Sequence, residues 1–301
     1  MTLTVIILTY NEQLHLERCV RSVQRLSSKI FVVDSFSLDG TVDVARSLGV
    51  EVIERKFINN ADQFQWALDN LKINTQWVMR IDADEYLELD LQEEIQETFL
   101  NLPEATVGVY IKRKVFFQGQ WIRYGGFYPQ TLLRIWKVGH GRVEQRWMDE
   151  HIVLPPNSKT ITLKGHLVDE NLKGITFWTD KHNRYASREM TDILIQKYFP
   201  EYKDRALRKM NVDGQARWKR ILKDDIYINL PAGIRVVFYF FYRYFLKLGF
   251  LDGSKGFIWH FLQGFWYRLL VDVKVMEVEA QAGGDPQKVI SILRDQYGVE
   301  I

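Results

Sequence analysis

Three carboxylates follow directly behind an apolar segment in the sequence RIDADEYL at residues 80–87. Asp82 and Asp84 stand two positions apart, and Glu85 comes next. An apolar strand that stops at clustered acids is typical of the carboxyl end of a buried parallel strand that faces a ligand cleft. Carboxylate oxygens at this spacing suit Mg²⁺ or Mn²⁺, and such an ion bridges the two phosphates of a nucleoside diphosphate. An Asp-x-Asp pair is common, so by itself it is a weak signal.

Strands and helices are predicted to alternate in the part of the chain that leads up to these acids. The predicted strands are 3–9, 30–34, 50–54 and 77–82, and the predicted helices are 12–25, 39–48 and 61–71. Such alternation requires a parallel, doubly wound α/β sheet with right-handed crossovers. Ligands of these sheets bind beyond the carboxyl ends of the strands.

Polar residues follow three of the four predicted strands. They are Thr9, Tyr10, Asn11 and Glu12 behind the first strand, Asp34 and Ser35 behind the second, and the acidic segment behind the fourth. A parallel sheet brings these strand ends to one edge, which predicts a single site. The alternative is that Asn11, Asp34 and Asp39 only cap helices and turns.

Glycine-rich phosphate loops do not occur at the predicted strand ends. No GxGxxG follows the first strand and the chain has no GxxxxGK[ST], which argues against a dinucleotide fingerprint and a P-loop. A nucleotidyltransferase would share the sheet and the metal-binding aspartates. It would also show a glycine-rich loop where this chain has TYNE, so that class is the weaker alternative.

Composition limits the protein class. The chain has 301 residues, 47% of them hydrophobic, which is enough for one α/β domain and a large C-terminal addition. The single cysteine, Cys19, leaves no disulfide partner and no CxxC zinc motif, so a reducing cytosolic setting is expected. The N-terminus shows no basic segment followed by a long apolar stretch, so nothing there is expected to direct export.

The C-terminal half is basic and aromatic. Residues 155–275 hold 21 Lys or Arg against 12 Asp or Glu, and 14 of the 32 residues from 236 to 267 are aromatic. The apolar runs there are short and contain Arg243 and Lys247, so they do not fit a membrane span. We predict two helices that lie in a membrane interface, joined by a turn at 251–256, with an anionic lipid surface as partner. The alternative is a packed core or a homodimer interface.

Three motifs together resemble a known family. TYNE at 9–12, VDSFSLDGT at 33–41 and RIDADEYL at 80–87 are similar to the nucleotide-sugar-binding half of the family 2 glycosyltransferases with the GT-A fold, over residues 1 to about 151. The resemblance implies Mg²⁺ or Mn²⁺ and a nucleotide-sugar donor, with a UDP-sugar first. It also implies roles for the strand-end residues. Tyr10 and Glu12 would hold the uracil or ribose, with Thr9 beside them, and Asp34 would contact the base. Asp82 would lie near the ribose, Arg80 would contact the diphosphate, and Asp84 would bind the metal.

The resemblance further implies an inverting reaction with a carboxylate base. The matching segment is DEH at 149–151, and we predict Glu150 as the base, with Asp149 as its alternative. His166 or His151 would complete the metal site, unless both are structural histidines. The segment WIRYGGFYPQ at 121–130 is either an acceptor-binding loop or a packed hairpin.

We therefore predict a GT-A α/β domain over 1–155 and a helical, basic and aromatic region over 156–301. The expected function is inverting, metal-dependent sugar transfer to a saccharide or polyprenyl-linked acceptor in cell-surface polysaccharide synthesis, of the exopolysaccharide or lipopolysaccharide type. The protein is expected to be cytoplasmic and bound peripherally to the inner face of the cell membrane. In KHNRYASRE at 181–189, Lys181, Arg184 and Arg188 either hold a lipid diphosphate or form a solvated helix face.

A non-catalytic membrane-surface binding module is the remaining alternative, since the basic and aromatic half would suffice for it. No nucleic-acid partner is expected, because no recognised binding motif accompanies the basic stretch at 203–223.

Overall fold

The computed structural model describes residues 2–144, 151–199 and 233–298. The predicted base, Glu150 or Asp149, lies outside the described residues, and so does the basic stretch at 203–223. The strands of the described chain are β1 Leu3–Thr9, β2 Lys29–Asp34, β3 Glu51–Glu54, β4 Trp77–Asp82, β5 Glu85–Leu87, β6 Thr106–Phe117, β7 Gln120–Ile122, β8 Gln130–Lys137, β9 Arg142–Val143, β10 Ile152–Val153 and β11 Lys159–Glu170.

Nine of these strands form one mixed sheet. Its order is β3-β2-β1-β4-β8-β6-β11-β5, and β7 pairs with β6 at the side. The four strands from β3 to β4 are parallel, as predicted from the alternating pattern. The other half mixes directions: β8 is antiparallel to both β4 and β6, whereas β6 and β11 are parallel. The predicted α/β architecture is confirmed.

The helices of the first half cover both faces of the parallel strands. They are α1 Leu16–Gln24, α2 Thr41–Ser47, α3 Asn60–Asn70 and α4 Leu89–Leu100. Val5 and Ile7 of β1 pack on the α1 side, in the same cluster as Cys19, whereas Ile6 packs with Phe64 of α3. Because successive side chains of a strand point to opposite faces, burial on both faces explains the unbroken apolar run of β1.

The first helix begins later than the pattern predicts. Asn11 has φ 55°, and the carbonyl of Glu12 accepts hydrogen bonds from the N–H groups of His15 and Leu16 at 3.0 Å each. A turn therefore occupies residues 10–15, and helical geometry starts at Leu16. This turn keeps the residues that follow β1 at the strand end instead of on a helix.

The sheet continues past residue 155, where the predicted helical region begins. β11, at 159–170, is an inner strand between β6 and β5, so it belongs to the same sheet as the N-terminal strands. Leu163 and Leu167 join the core cluster of β1. The helical region starts only at Gly174. Because β11 pairs with both β6 and β5, the sheet continues to residue 170, beyond the predicted boundary at 155.

The C-terminal helices are α5 Gly174–Tyr198, α6 Ile234–Phe241, α7 Gly253–Phe261, α8 Tyr267–Ala282 and α9 Pro286–Tyr297. A π-helical turn, Tyr242–Leu246, extends α6, and another, Leu262–Trp266, joins α7 to α8. We call residues 234–266 the aromatic hairpin. Its reversal lies at 247–252, slightly before the predicted turn, because Leu248 adopts a left-handed conformation with φ 60°. Within the described ranges, no helix combines the length and apolarity that a membrane crossing requires.

Candidate active site

Asp34 at the end of β2 organises the loop that follows it. Its Oδ1 accepts hydrogen bonds from Thr9 Oγ1 at 2.8 Å and from Ser37 Oγ at 2.6 Å, and its Oδ2 accepts one from Ser37 N at 2.7 Å. The side chain is fully buried. These contacts match the capping alternative for Asp34 and tie β1 to β2 at the predicted site edge. A contact between Asp34 and a nucleobase stays a prediction.

Glu12 connects the end of β1 to the C-terminal helices. Its Oε2 lies 2.6 Å from His15 Nδ1, and its Oε1 accepts from Lys173 Nζ at 2.8 Å. His15 Nε2 accepts from the N–H of Leu172 at 2.8 Å, which places the imidazole proton on Nδ1. Tyr10 is 54% exposed at the same strand end, so its ring is open to a ligand.

Glu85 forms the buried centre of the acidic segment. Its Oε2 accepts from the N–H of Asp82 at 3.0 Å, and its Oε1 forms a close ion pair with Arg134. Arg134 also reaches Asp82 Oδ2 at 3.4 Å, and Arg80 Nε reaches Asp82 Oδ1 at the same distance. Glu85 is 1% exposed, whereas 36% of the Asp82 side chain is exposed. Glu85 thus positions the segment, and Asp82 faces the cleft.

Burial and the charges around this segment shift the pKa values of Asp82 and Glu85 in opposite directions. Burial opposes ionisation of Asp82, but Arg80, Arg134 and Arg113 together hold the pKa of Asp82 far below its usual range. Burial raises the pKa of Glu85, and although Arg134 opposes this shift, the charge of Asp82 adds to it. Asp82 therefore stays charged at the cleft.

Asp84 lies where the first and second halves of the chain meet. Its Oδ2 accepts from Asn171 Nδ2 at 3.2 Å and lies 3.5 Å from Lys181 Nζ, and its carbonyl accepts from the N–H of Glu170. Burial disfavours the charged form, but Lys181, together with smaller contributions from Asn171 and His15, lowers the pKa of Asp84 below its usual range. Burial opposes the charged form of Lys181, but Asp84, with smaller contributions from Tyr185, Asp169 and Glu12, holds the pKa of Lys181 above its ordinary value.

The ligand atoms that this edge of the sheet offers fit a divalent cation. Asp82 and Asp84 offer hard carboxylate oxygens two residues apart, and both carboxyls have lowered pKa values that keep them ionised. Asp82 is the more exposed of the two, since 36% of its side chain is exposed against 15% of the Asp84 side chain. These two residues would hold the ion.

His166 lies in a different cluster. Its Nε2 is 2.7 Å from Tyr128 Oη, and its Nδ1 is 3.6 Å from Glu88 Oε2. Among the described residues, ligand atoms of Glu88, Asp90 and His166 lie within 4.8 Å of one another. Lys114 Nζ already contacts both carboxylate oxygens of Glu88, at 2.9 and 2.6 Å, so the charge of that carboxylate is balanced.

The strand register separates His166 from the acidic pair. The carbonyl of His166 pairs with Glu88 N, whereas the carbonyl of Asp84 pairs with Glu170 N, four residues further along β11. Four residues of a strand span about 13 Å. The expectation that His166 completes a metal site at Asp84 is thus corrected. His151, the other candidate, lies 3.4 Å from Glu144, and its role at the metal stays a prediction.

Several residues of the cleft were not found from the sequence. They are Arg113 on β6, Arg134 on β8, and Asp169, Asn171 and Lys173 on or behind β11. Lys181 was a sequence candidate, but for a lipid diphosphate and not for a contact with Asp84. The two arginines could have been recognised in the sequence, because a cation inside an apolar strand needs a buried partner. For Asp169, Asn171 and Lys173 no such signal was present, since nothing local indicates that β11 returns to pair with β5.

A family comparison decides the class of this site. The family model described as Glycosyl transferase family 2 matches residues 4–167, more than half of the chain. The chain belongs to this family. The resemblance drawn from the three motifs is confirmed, and the matched domain is that of an enzyme. The binding-module and nucleotidyltransferase alternatives are set aside.

Related proteins match over part of their length. The chain is 33% identical over 118 residues to an uncharacterized glycosyltransferase of Rickettsia typhi, which covers 39% of this chain and 40% of that one. It is 29% identical over 154 residues to the lipopolysaccharide core biosynthesis glycosyltransferase LpsC of Rhizobium meliloti, covering 48% and 54%. The chain thus spans about half or less of these relatives. A solved glucosyl-3-phosphoglycerate synthase from Mycobacterium tuberculosis matches at 21% identity, with coverages of 39% and 44% and a TM-score of 0.31.

Proposed function

We propose that the enzyme transfers a sugar, with inversion, from a nucleoside diphosphate sugar to a saccharide or polyprenyl-linked acceptor in cell-surface polysaccharide synthesis. A UDP-sugar is the first candidate for the donor. The proposal rests on the ionised, partly open pair Asp82 and Asp84 at the carboxyl end of β4. The lipopolysaccharide core activity in the name of the relative LpsC supports the acceptor class.

Different residues of the cleft would serve different parts of the reaction. The acceptor oxygen bonds to the anomeric carbon while the bond from that carbon to the diphosphate oxygen breaks, so negative charge grows on the leaving diphosphate. A divalent cation on Asp82 and Asp84, Mg²⁺ or Mn²⁺, would neutralise that charge. Tyr10 offers an open ring to the nucleobase. Arg80, packed 5.3 Å from the Phe64 ring, adds fixed positive charge.

The remaining step is removal of the acceptor proton. We assign it to Glu150, with Asp149 as the alternative, from the family resemblance of the DEH segment. A base of this kind contributes roughly 10²- to 10⁴-fold to the rate.

Calorimetric titration with UDP, with and without Mn²⁺, tests the donor class. GDP and dTDP serve as competing nucleotides. We expect Mn²⁺-dependent binding that favours UDP, and we expect it to be lost in Asp84→Ala. Asp69→Asn, an exposed carboxylate on α3, is the matched control and should bind like the wild type. Normal Mn²⁺-dependent binding by Asp84→Ala would remove Asp84 from the metal site.

We also propose that the aromatic hairpin binds an anionic membrane surface, which would place the enzyme at the inner face of the cell membrane. Its exposed apolar side chains include Phe238, Phe241, Phe245, Leu246, Phe257 and Phe261. Exposed aromatic rings of this kind are typical of amphipathic helices that lie in a membrane interface.

The charges of the hairpin support the anionic choice. Its lysines Lys247 and Lys255 are exposed, whereas Arg235 and Arg243 are buried. The one acidic residue between 234 and 266, Asp252, is buried and accepts hydrogen bonds from the protein. The exposed charge of the hairpin is therefore positive, and lysines near a lipid surface each contribute about 1 kcal/mol of attraction to anionic lipid.

Sedimentation with vesicles tests this part. Phosphatidylglycerol vesicles should bind the protein more strongly than phosphatidylcholine vesicles, and a double Phe241→Ser, Phe245→Ser variant should lose binding. Leu100→Ser, at an exposed leucine on α4, is the control and should leave binding unchanged. If the protein ignores vesicles and instead forms dimers that the double variant abolishes, the surface is a self-association interface.

A further inference from the structure

Helix α5 places a lysine inside the cleft, next to the carboxylate assigned to the metal. Lys181 Nζ lies 3.5 Å from Asp84 Oδ2, and the same oxygen accepts from Asn171 at 3.2 Å. The Lys181 side chain is 29% exposed, so it is neither a solvated surface charge nor sealed in the core. Further along the cleft edge, Lys173 pairs with Glu12. The beginning of α5 therefore supplies positive charge to the site edge.

The structure separates Lys181 from the other cations of its segment. Arg184 is exposed, and the Arg188 guanidinium lies over the rings of Phe57 and Tyr185, at 5.7 and 5.9 Å. Lys181 alone of these three contacts Asp84. Its position favours a role at the sugar donor over joint binding of a lipid diphosphate by all three.

An ammonium and a divalent cation compete for one carboxylate. Both are attracted to Asp84, and they repel each other at contact distance. A diphosphate removes this conflict, because its oxygens accept hydrogen bonds from the ammonium while the cation keeps the carboxylate. Charge-assisted bonds from an ammonium to phosphate oxygens are short and strong.

We propose that Lys181 is a diphosphate-binding residue that is paired with Asp84 in the free enzyme and moves to a phosphate oxygen when nucleotide and metal bind. This proposal rests on the proposed function, since it needs a nucleoside diphosphate at the cleft. It makes Lys181 oppose binding of the metal alone and favour binding of the metal together with nucleotide. A lysine that only stabilises the fold would not act in opposite directions on these two equilibria.

Two binding measurements on Lys181→Met test the proposal. Free Mn²⁺, followed by its electron paramagnetic resonance signal, should bind the variant several-fold more tightly than the wild type. UDP in the presence of saturating Mn²⁺, followed by calorimetry, should bind about 10- to 100-fold more weakly, the usual effect of removing a hydrogen bond that involves a charged group. Lys181→Arg keeps the charge and should recover most of the UDP affinity.

A lysine on the same helix provides the control. Lys197 pairs with Glu279 away from the cleft, and Lys197→Met should leave both affinities unchanged. Unchanged UDP affinity in Lys181→Met, or a parallel loss of both affinities in a protein with wild-type circular dichroism, would overturn the proposal. Failure of the wild type to bind UDP with Mn²⁺ would instead reject the proposed donor, so the two failures are distinguishable.

Discussion

Replacing Asp252 by alanine should release the aromatic hairpin from the sheet domain. The Asp252 carboxylate accepts hydrogen bonds from the N–H groups of Arg123 and Tyr124, each at 3.0 Å, and lies 3.2 Å from His260 Nε2. Asp252 is 5% exposed and His260 is fully buried. Asp252 therefore joins the loop after β7 to the hairpin reversal through charged hydrogen bonds.

The size of the effect follows from the two N–H groups left without an acceptor. Each unpaired buried donor costs about 1–3 kcal/mol, and we take the lower part of that range because Arg123 is exposed. The hairpin contact should thus weaken by about 2–4 kcal/mol. If the hairpin opens as a local unit, amide exchange in this loop should accelerate about 30- to 1,000-fold.

Hydrogen–deuterium exchange of peptides covering 120–128 and 249–261 measures this release. The loop also depends on Gly125, whose N–H donates to the Lys247 carbonyl at 2.9 Å, so both peptides should respond together. Asp285→Ala is the matched control: Asp285 caps α9 by accepting from Gln287 N, and its loss should accelerate exchange only near α9. Unchanged exchange in both peptides of Asp252→Ala would refute the assignment.

Three further changes have defined outcomes. Glu150→Gln should keep its UDP affinity in calorimetry and lose roughly 10²- to 10⁴-fold in transfer rate, and normal turnover would move the base elsewhere. Gly165→Ala should lower the free energy of unfolding by about 1–3 kcal/mol in urea, because a Cβ there would lie 2.7 Å from Leu91 Cα, whereas Gly264→Ala, with its nearest contacts at 4.0 Å, should not. Burial lowers the pKa of His182 to about 4 from 6.5, so the unfolded chain takes up this proton first and stability should fall as the pH drops from 6.5 to 4. Urea titrations should show a smaller fall for His182→Phe, and an equal fall would assign the pH dependence to other groups.

The two halves of the sheet differ in how far they were predictable. The predicted strand 77–82 coincides with β4, and the strands at 3–9 and 30–34 agree with β1 and β2 to within one residue. Each of these strands is a mainly apolar run bounded by polar residues, so local pattern was enough. β11 has a mixed pattern instead, and its neighbours β6 and β5 lie far away in the sequence.

The sequence by itself determined the alternating strands and helices, the acids at the end of β4 and, through three motifs, the family. These features depend on residues that are near one another in the chain. Only the tertiary structure decided that β11 returns between β6 and β5, which brings Asn171 and Lys181 to Asp84 and leaves His166 about 13 Å away along the strand. Pairing between distant strands depends on packing and register across the whole sheet, and a one-residue change in the register of β11 would turn the side chain of His166 to the other face.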